Sequence, residues 1–578
     1  MLIAALALAA RGLVRHTTWY LASDQFAFLT FADDLTAGHV FHDPTVVRLL
    51  AAPTLPEHLV ADALYQTYFW RDGRLYSRYP PGYPLLLAGA RAIAGETGRR
   101  ILNPLLYLVL LVVLARLAYR ALDVAPPDAR LAAAAVAPWL LLLLPADVHY
   151  WGLTLSRDLP AHLLGLLAVL AALDGRLVIG AVVLGSACTI RPDAVLYALP
   201  IAVLAVQRRV GWRAALGAGG AFAVGALPLF LYNTVTQGHP LAFTQGAEFR
   251  ALLSALAPIR PALAQSGVPI PSGGAFRVSN LARTLPAHLA YLVRTFGLFA
   301  LIAAATLGWG MRRRLPLATA LGAYALVALL FYSCWTHSDP RYLVGVSLCL
   351  VLLASAGTTL WCTRLADDTL RLRSRIAAIG LTLATIASMI FAHPGDPRLV
   401  AIEAALGSVA VLIASLAPRV GMRRIAPLAP ALVLAAIGIV RAAVGSADRD
   451  PFQRPQIERA RAAIEALLPP GALLLTTPAL GRPAENITYY THATAYYWGE
   501  LPLLGSTIES VAARARDAGR RTFLLAPGGE TLPIASSALL ATAHVVANRS
   551  GPALRDWFVD PRGAPIGAVL YEIESPPL

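Results

Sequence analysis

The sequence predicts a polytopic α-helical membrane protein of about 13 transmembrane helices with a small C-terminal α/β domain. Three observations carry this prediction. Of 578 residues, 57% are hydrophobic and only 14% charged, more apolar sequence than a soluble core needs. Apolar runs of membrane-spanning length recur as far as residue 445. From Asp448-Arg449-Asp450-Pro451 onward the composition turns to that of a soluble domain.

Taken in order, the predicted spans are 2–21, 101–121, 130–147, 158–174, 177–190, 194–207, 214–232, 286–310, 315–334, 341–362, 376–392, 398–417 and 424–445. The segment Pro84 to Gly95 is left out, because it is too short to cross and carries Arg91. It is expected to lie along the interface, burying one face without spanning. The runs 177–190 and 194–207 are short, and a re-entrant pair there would leave the parity unchanged.

All 48 basic residues are Arg, which together with the abundance of Ala, Leu, Pro and Gly fits a GC-rich bacterial genome. From Ser446 to the end, 12 Arg face 13 acidic residues, so the net +15 belongs to the membrane part. There it sits in short connections: Arg116/Arg120/Arg130, Arg176, Arg208-Arg209 to Arg213, Arg312-Arg313-Arg314, Arg364 to Arg375 and Arg419 to Arg424. These alternate in register, as cytoplasmic loops do, and place the loops holding Asp24, Asp158 and Arg341 outside with the C-terminal domain. Charge used in this way does not point to nucleic acid. The four cysteines, Cys188, Cys334, Cys349 and Cys362, have no metal-ligand spacing and read as small core thiols.

The membrane domain is expected to cover 1–445, with interfacial helices in the first outer loop at about 22–100, and the C-terminal domain 446–578. In the latter, helical stretches (Ile457 to Leu468, Val511 to Ala518) alternate with strand-like runs (Ala472 to Thr476, Thr522 to Leu525, Ala568 to Ile573). No glycine-rich phosphate loop follows a strand, which disfavours nucleotide binding.

Polar clusters interrupting the apolar sequence hold the chemistry. Asp24 opens a stretch with Phe28, Phe31 and Leu35 at helical spacing, at the end of the first span. A carboxylate there can take a proton from an acceptor hydroxyl, and it equally suits a plain helix N-cap. Arg78-Tyr79-Pro80-Pro81 leads into the interfacial segment, where aromatic residues are also ordinary anchors. Arg157-Asp158-Leu159-Pro160 puts a second carboxylate at the outer start of a span, as a functional group, a cap or an ion pair with Arg157. His337-Ser338-Asp339-Pro340-Arg341-Tyr342 supplies an arginine that could bind a phosphate with its planar fork or merely snorkel to the interface.

Several of these pieces fall in a particular order. Asp24-Gln25 precedes Ala32-Asp33-Asp34-Leu35-Thr36-Ala37-Gly38, and Pro80-Pro81-Gly82-Tyr83-Pro84 leads into an apolar helix. Asp158 follows, then Gly185 to Arg191-Pro192, then Tyr232-Asn233 through Gly238-His239-Pro240, then Arg341-Tyr342 before a late span. In this order the chain resembles the GT-C glycosyltransferases, in particular the bacterial relatives of protein O-mannosyltransferases and of the aminoarabinose transferase that modifies lipid A. The resemblance runs from Asp24 to about Trp361. It implies transfer of a sugar from a polyprenyl-phosphate donor to an extracytoplasmic lipid, glycan or protein acceptor, with inversion, at the outer face of a bacterial inner membrane. It also implies Asp24 as general base, Asp158 as a second catalytic carboxylate, and Arg341 with Tyr342 at the donor phosphate. Arg78, Tyr79, Arg157 and His337 are the remaining pocket candidates. Where the family often has Glu, this chain has Gln25; the second carboxylate is missing, which counts against a divalent metal, and no other cofactor is called for.

Two other classes compete. A transporter or flippase of envelope lipid-linked precursors would also be polytopic, but would be expected to keep charged or broken-helix sites at mid-membrane. A non-catalytic envelope scaffold would use the C-terminal domain to bind a partner. Convergence of the outer polar clusters on one cavity distinguishes the enzyme from both.

Overall fold

The computed structural model describes residues 1–16, 23–42, 45–53, 68–72, 74–123, 125–143, 155–242, 276–296, 298–313, 315–335, 340–365, 432, 434–435, 466–477, 493–527, 543–547 and 568–573. In chain order the elements are α1 (Leu2–His16), α2 (Ser23–Thr36), α3 (Thr45–Leu50), β1 (Tyr68–Arg71), β2 (Arg74–Ser77), α4 (Gly82–Ala121) and α5 (Pro127–Leu143). Then come α6 (Asp158–Leu173), α7 (Leu177–Ile190), α8 (Ala198–Gln207), α9 (Trp212–Gly225), α10 (Leu227–Gln237), α11 (Leu281–Phe296), α12 (Leu298–Arg312), α13 (Pro316–Ser333) and α14 (Val344–Leu365). The C-terminal elements are β3 (Leu473–Thr476), β4 (Thr494–Tyr497), α15 (Ile508–Asp517), β5 (Thr522–Pro527), β6 (Ala543–Ala547) and β7 (Ala568–Ile573).

Among the described residues, three helices are long and apolar enough to cross a membrane, or up to five if each bent pair counts as one span. The predicted spans at 376–392 and 398–417 lie outside the described residues, and 424–445 lies almost wholly outside them. Helix α4 contains both the predicted interfacial segment and the predicted second span. The two are separated where Ala94 and Gly95 leave helical geometry, Gly95 with a positive φ of 60° that glycine adopts at no steric cost.

The predicted span 214–232 is a pair, α9 and α10, bent by 56°. The region predicted as one span at 286–310 is also two helices, α11 and α12, bent by 104°. In α11, Thr284, His288, Leu292 and Phe296 are buried at a spacing of four, while Leu289 and Val293 are exposed. That is an amphipathic stripe rather than an all-apolar cylinder.

The chain divides into two compact units. The first comprises Met1–Thr17, Arg99–Leu229 and Gly274–Arg449. Its core runs along the helices through Leu111, Leu117, Trp139, Leu166, Val169, Leu321 and Leu352. Glycines set the close crossing of α7 and α9: a Cβ on Gly185 of α7 would collide with the Phe222 carbonyl of α9, and one on Gly225 with the Val182 carbonyl. Small residues let the two backbones touch, as in membrane helix pairs generally.

The second unit comprises Thr18–Gly98, Phe230–Gly273 and Asp450–Leu578. Its five-stranded sheet has the order β4-β3-β5-β7-β6, parallel at β4/β3/β5 and antiparallel at β5/β7 and β7/β6. Helix α15 begins with a capping box, Ser510 N–H donating to Thr507 Oγ1 at 3.3 Å and Thr507 N–H to Ser510 Oγ at 3.0 Å. One face of the sheet shares a core with the segment between α1 and α4: Phe26, Leu49, Leu50 and Leu75 pack with Leu473, Leu475, Tyr496, Val511 and Leu524.

Candidate active site

In the first unit a buried ionic network occupies one end of the helices. Asp158 is the first residue of α6, and Arg191 terminates α7. The Arg191 guanidinium donates through Nη1 to Asp158 Oδ1 and through Nε and Nη2 to the two oxygens of Asp193, at 2.9 and 2.5 Å. Pro192 starts the 3-10 turn Pro192–Tyr197, which places the Asp193 carboxylate back against the arginine it follows by two residues. Tyr332 Oη, from the last turn of α13, donates to Asp193 Oδ2 at 2.6 Å.

The second oxygen of Asp158 is taken as well. Ser156 Oγ donates to Asp158 Oδ2 at 2.7 Å and accepts from the Asp158 N–H at 3.1 Å. Asn103 Nδ2 in turn donates to the Ser156 carbonyl at 2.8 Å. Both Asp158 oxygens are thus engaged, one by the Arg191 guanidinium and the other by Ser156, which fixes the orientation of the side chain.

Aromatic rings extend the cluster. The Tyr342 ring stacks on Tyr332 (centroids 5.6 Å apart, planes 16° apart) and on Trp335 (6.5 Å, 16°), and the Arg341 guanidinium lies 5.3 Å from the Tyr342 ring centre. The charges of Arg341 and Arg157 are felt by Arg191 and Asp193 respectively. Burial alone would raise the Asp193 carboxyl; the Arg191 guanidinium and the hydrogen bonds from Arg191 and Tyr332 override it and hold the group well below the usual carboxylate range. Burial would likewise lower Arg191, and Asp193 keeps it firmly protonated.

Behind this cluster, His162 Nδ1 lies 3.1 Å from Tyr197 Oη, and the Tyr197 and Tyr324 rings stack at 4.2 Å. Gly345 leaves room for both Tyr324 and His162, since a Cβ there would strike the Tyr324 hydroxyl.

The sequence-predicted residues divide between the two units. Asp158, Arg157, Arg341 and Tyr342 meet in the network just described. Asp24 is the second residue of α2 in the other unit, with Arg78 and Tyr79. Helix α2 is fixed there by aromatic contacts: Phe28 meets Tyr79 and Tyr83 edge-on at 4.8 and 5.2 Å, and Phe31 meets Tyr232 at 5.4 Å. Tyr232 Oη donates to the Ser77 carbonyl at 2.6 Å, tying α10 to the strand end that leads into the buried Arg78 and Tyr79. Arg91 pairs with Asp33 of α2 at 2.5 Å. His337 lies outside the described residues. Among the described residues, no three His, Cys, Asp or Glu side chains come together to hold a metal.

Arg191, Asp193 and Tyr332 were not singled out from sequence as site residues. Arg191-Pro192-Asp193 was visible as a charged break between two apolar runs, the same signal that marked Asp158. Tyr332 gave no such signal, being one more aromatic residue in an apolar helix.

No protein-family profile matches the chain, and no curated protein matches it by sequence. Solved structures do match. The crystal structure of ArnT from Cupriavidus metallidurans in the apo state superposes with a TM-score of 0.57 at 16% identity, over 98% of this chain and 96% of that one. The chain has the fold of ArnT. The structure of the same ArnT bound to undecaprenyl phosphate gives 0.56 at 17% identity over the same shares.

Proposed function

We propose that this chain is a membrane glycosyltransferase that moves a sugar from a polyprenyl-phosphate donor to an extracytoplasmic acceptor with inversion. The observation that carries the reading is the buried Asp158–Arg191–Asp193–Tyr332 network beside Arg341 and Tyr342, in a fold that in ArnT binds undecaprenyl phosphate. Among the described residues the charged groups of this network gather at helix ends, where a transport site would hold them at mid-membrane.

In the proposed reaction the acceptor hydroxyl oxygen attacks the anomeric carbon from the face opposite the phosphate. The bond from that carbon to the phosphate oxygen breaks, and its electron pair leaves on the polyprenyl phosphate. Asp24 takes the hydroxyl proton as general base. Arg341 neutralises the charge building on the leaving phosphate, its planar fork suited to two phosphate oxygens. Asp158 and Asp193 have a different part: with their oxygens committed to Arg191, Ser156 and Tyr332, they fix the cationic wall rather than move protons. The apolar helices give the prenyl chain a lipid-like surface, and the site faces outward from the bacterial inner membrane.

Asp24→Asn tests the assignment. Asn caps a helix as well as Asp does, so a mere cap would tolerate the change. A general base would not: transfer should fall by roughly two to four orders of magnitude with donor binding and expression intact. Near wild-type transfer by purified Asp24→Asn protein would sink this role.

A further inference from the structure

Helix α3 ends in the first outer loop, and the last carbonyls of any helix lack intrahelical partners. Here the partners come from the C-terminal part of the chain. Arg514, on α15, donates through Nε to the Leu49 carbonyl at 3.0 Å and through Nη2 to the Leu50 carbonyl at 3.1 Å. The same Nη2 reaches Ser506 Oγ at 2.8 Å, which locks the guanidinium in place. Two residues on, the Ala52 N–H donates to the Leu504 carbonyl at 2.9 Å. A cation at a helix C-terminus also complements its dipole, so the fork satisfies geometry and charge together.

The attachment extends to the helix that bears Asp24. Phe26, two residues beyond Asp24, is buried in the same hydrophobic cluster as Leu49, Leu50, Val511 and Ala515. We propose that Arg514 is a positioning residue, and that the C-terminal sheet serves as the buttress that sets the Asp24-bearing loop for sugar transfer. This rests on Asp24 acting in that transfer. Displacement of a reacting group by even 1 Å can cost about 100-fold in rate, so a clamp on this loop would act on turnover. Donor binding, assigned to Arg341, would be left alone. Lysine in place of Arg514 keeps the charge but cannot span two carbonyls with a rigid fork.

The test uses the purified full-length protein and its Arg514→Ala and Arg514→Lys variants. Amide hydrogen exchange is read over residues 45–52 and over β3 and β5, alongside transfer kcat and the affinity for undecaprenyl phosphate. In Arg514→Ala, exchange should rise about tenfold or more at 49–52 and stay unchanged in β3 and β5. Turnover should fall about tenfold with undecaprenyl phosphate affinity unchanged, and Arg514→Lys should restore part of both. If Arg514→Ala does not fold, the Lys variant decides: faster exchange at 49–52 with reduced kcat supports the clamp. Unchanged exchange at 49–52, or loosening there with kcat unaltered, overturns it. A wild-type protein that transfers no sugar would defeat the functional reading while the exchange measurement still judged the clamp.

Discussion

Helix α6 has an ionic cluster at each end, and the two are built differently. At its start, Arg191 and Asp158 have side chains only 6% and 7% exposed, with every carboxylate oxygen engaged by a named partner. At its finish, Arg120 pairs with Asp174 at 3.2 Å with side chains 23% and 33% exposed, and Arg130 pairs with Asp123 at 3.0 Å. Arg208 there caps the helix by donating to the Ala172 and Leu173 carbonyls. The second cluster is an arginine-rich set of helix-end anchors of the kind that fixes orientation in a membrane. The first exceeds what anchoring needs. Ions are taken out of water at a cost that only complete pairing offsets, and such an arrangement points to a site.

The largest effect is expected at Arg191. Arg191→Ala strands two buried carboxylates, and the expected loss is about 3–5 kcal/mol of stability, read as thermal unfolding in detergent. A loss below about 1 kcal/mol would mean that the cluster is wetter and looser than described.

At the other end, Arg120→Ala removes partly exposed pairs and should cost at most about 1 kcal/mol, shrinking further as salt is raised. Comparable losses at both ends would erase the distinction.

The smallest effect concerns pH. The Asp193 carboxyl is held below its ordinary range, so its contribution to stability is complete above the unfolded value of about 3.9 and is lost only as pH falls below that. Between pH 5 and 7 the difference in unfolding temperature between wild type and Asp193→Asn should therefore stay constant, to about the precision of the measurement. A difference that shrinks as pH falls through that interval would show that Arg191 does not hold Asp193 as described.

The two ends were unequally legible in the sequence. A charge in an apolar run is conspicuous, so Asp158 and Arg341 stood out in the sequence, and in the structure both lie in or beside the buried cluster. What could not be read was which charges meet. Arg191 and Asp193 are two residues apart, while their decisive partners, Asp158 and Tyr332, are distant in sequence. The break at Gly95 falls where the sequence separated a short, Arg91-bearing segment from the following apolar run. The α11–α12 bend was not legible, because hydropathy averaged over a window ignores which face of α11 is apolar. In the C-terminal part, β7 falls at Ala568–Ile573 as the pattern predicted. The order β4-β3-β5-β7-β6 depends on long-range pairing that no local pattern carries.

The most direct test of the central claim is binding of labelled undecaprenyl phosphate to wild type, Arg341→Ala and Arg120→Ala, purified side by side. The account predicts that Arg341→Ala weakens binding by about tenfold or more, through loss of a charge-assisted pair, while Arg120→Ala binds as wild type does. Equal affinity in all three proteins would contradict it and leave Arg341 an interfacial anchor.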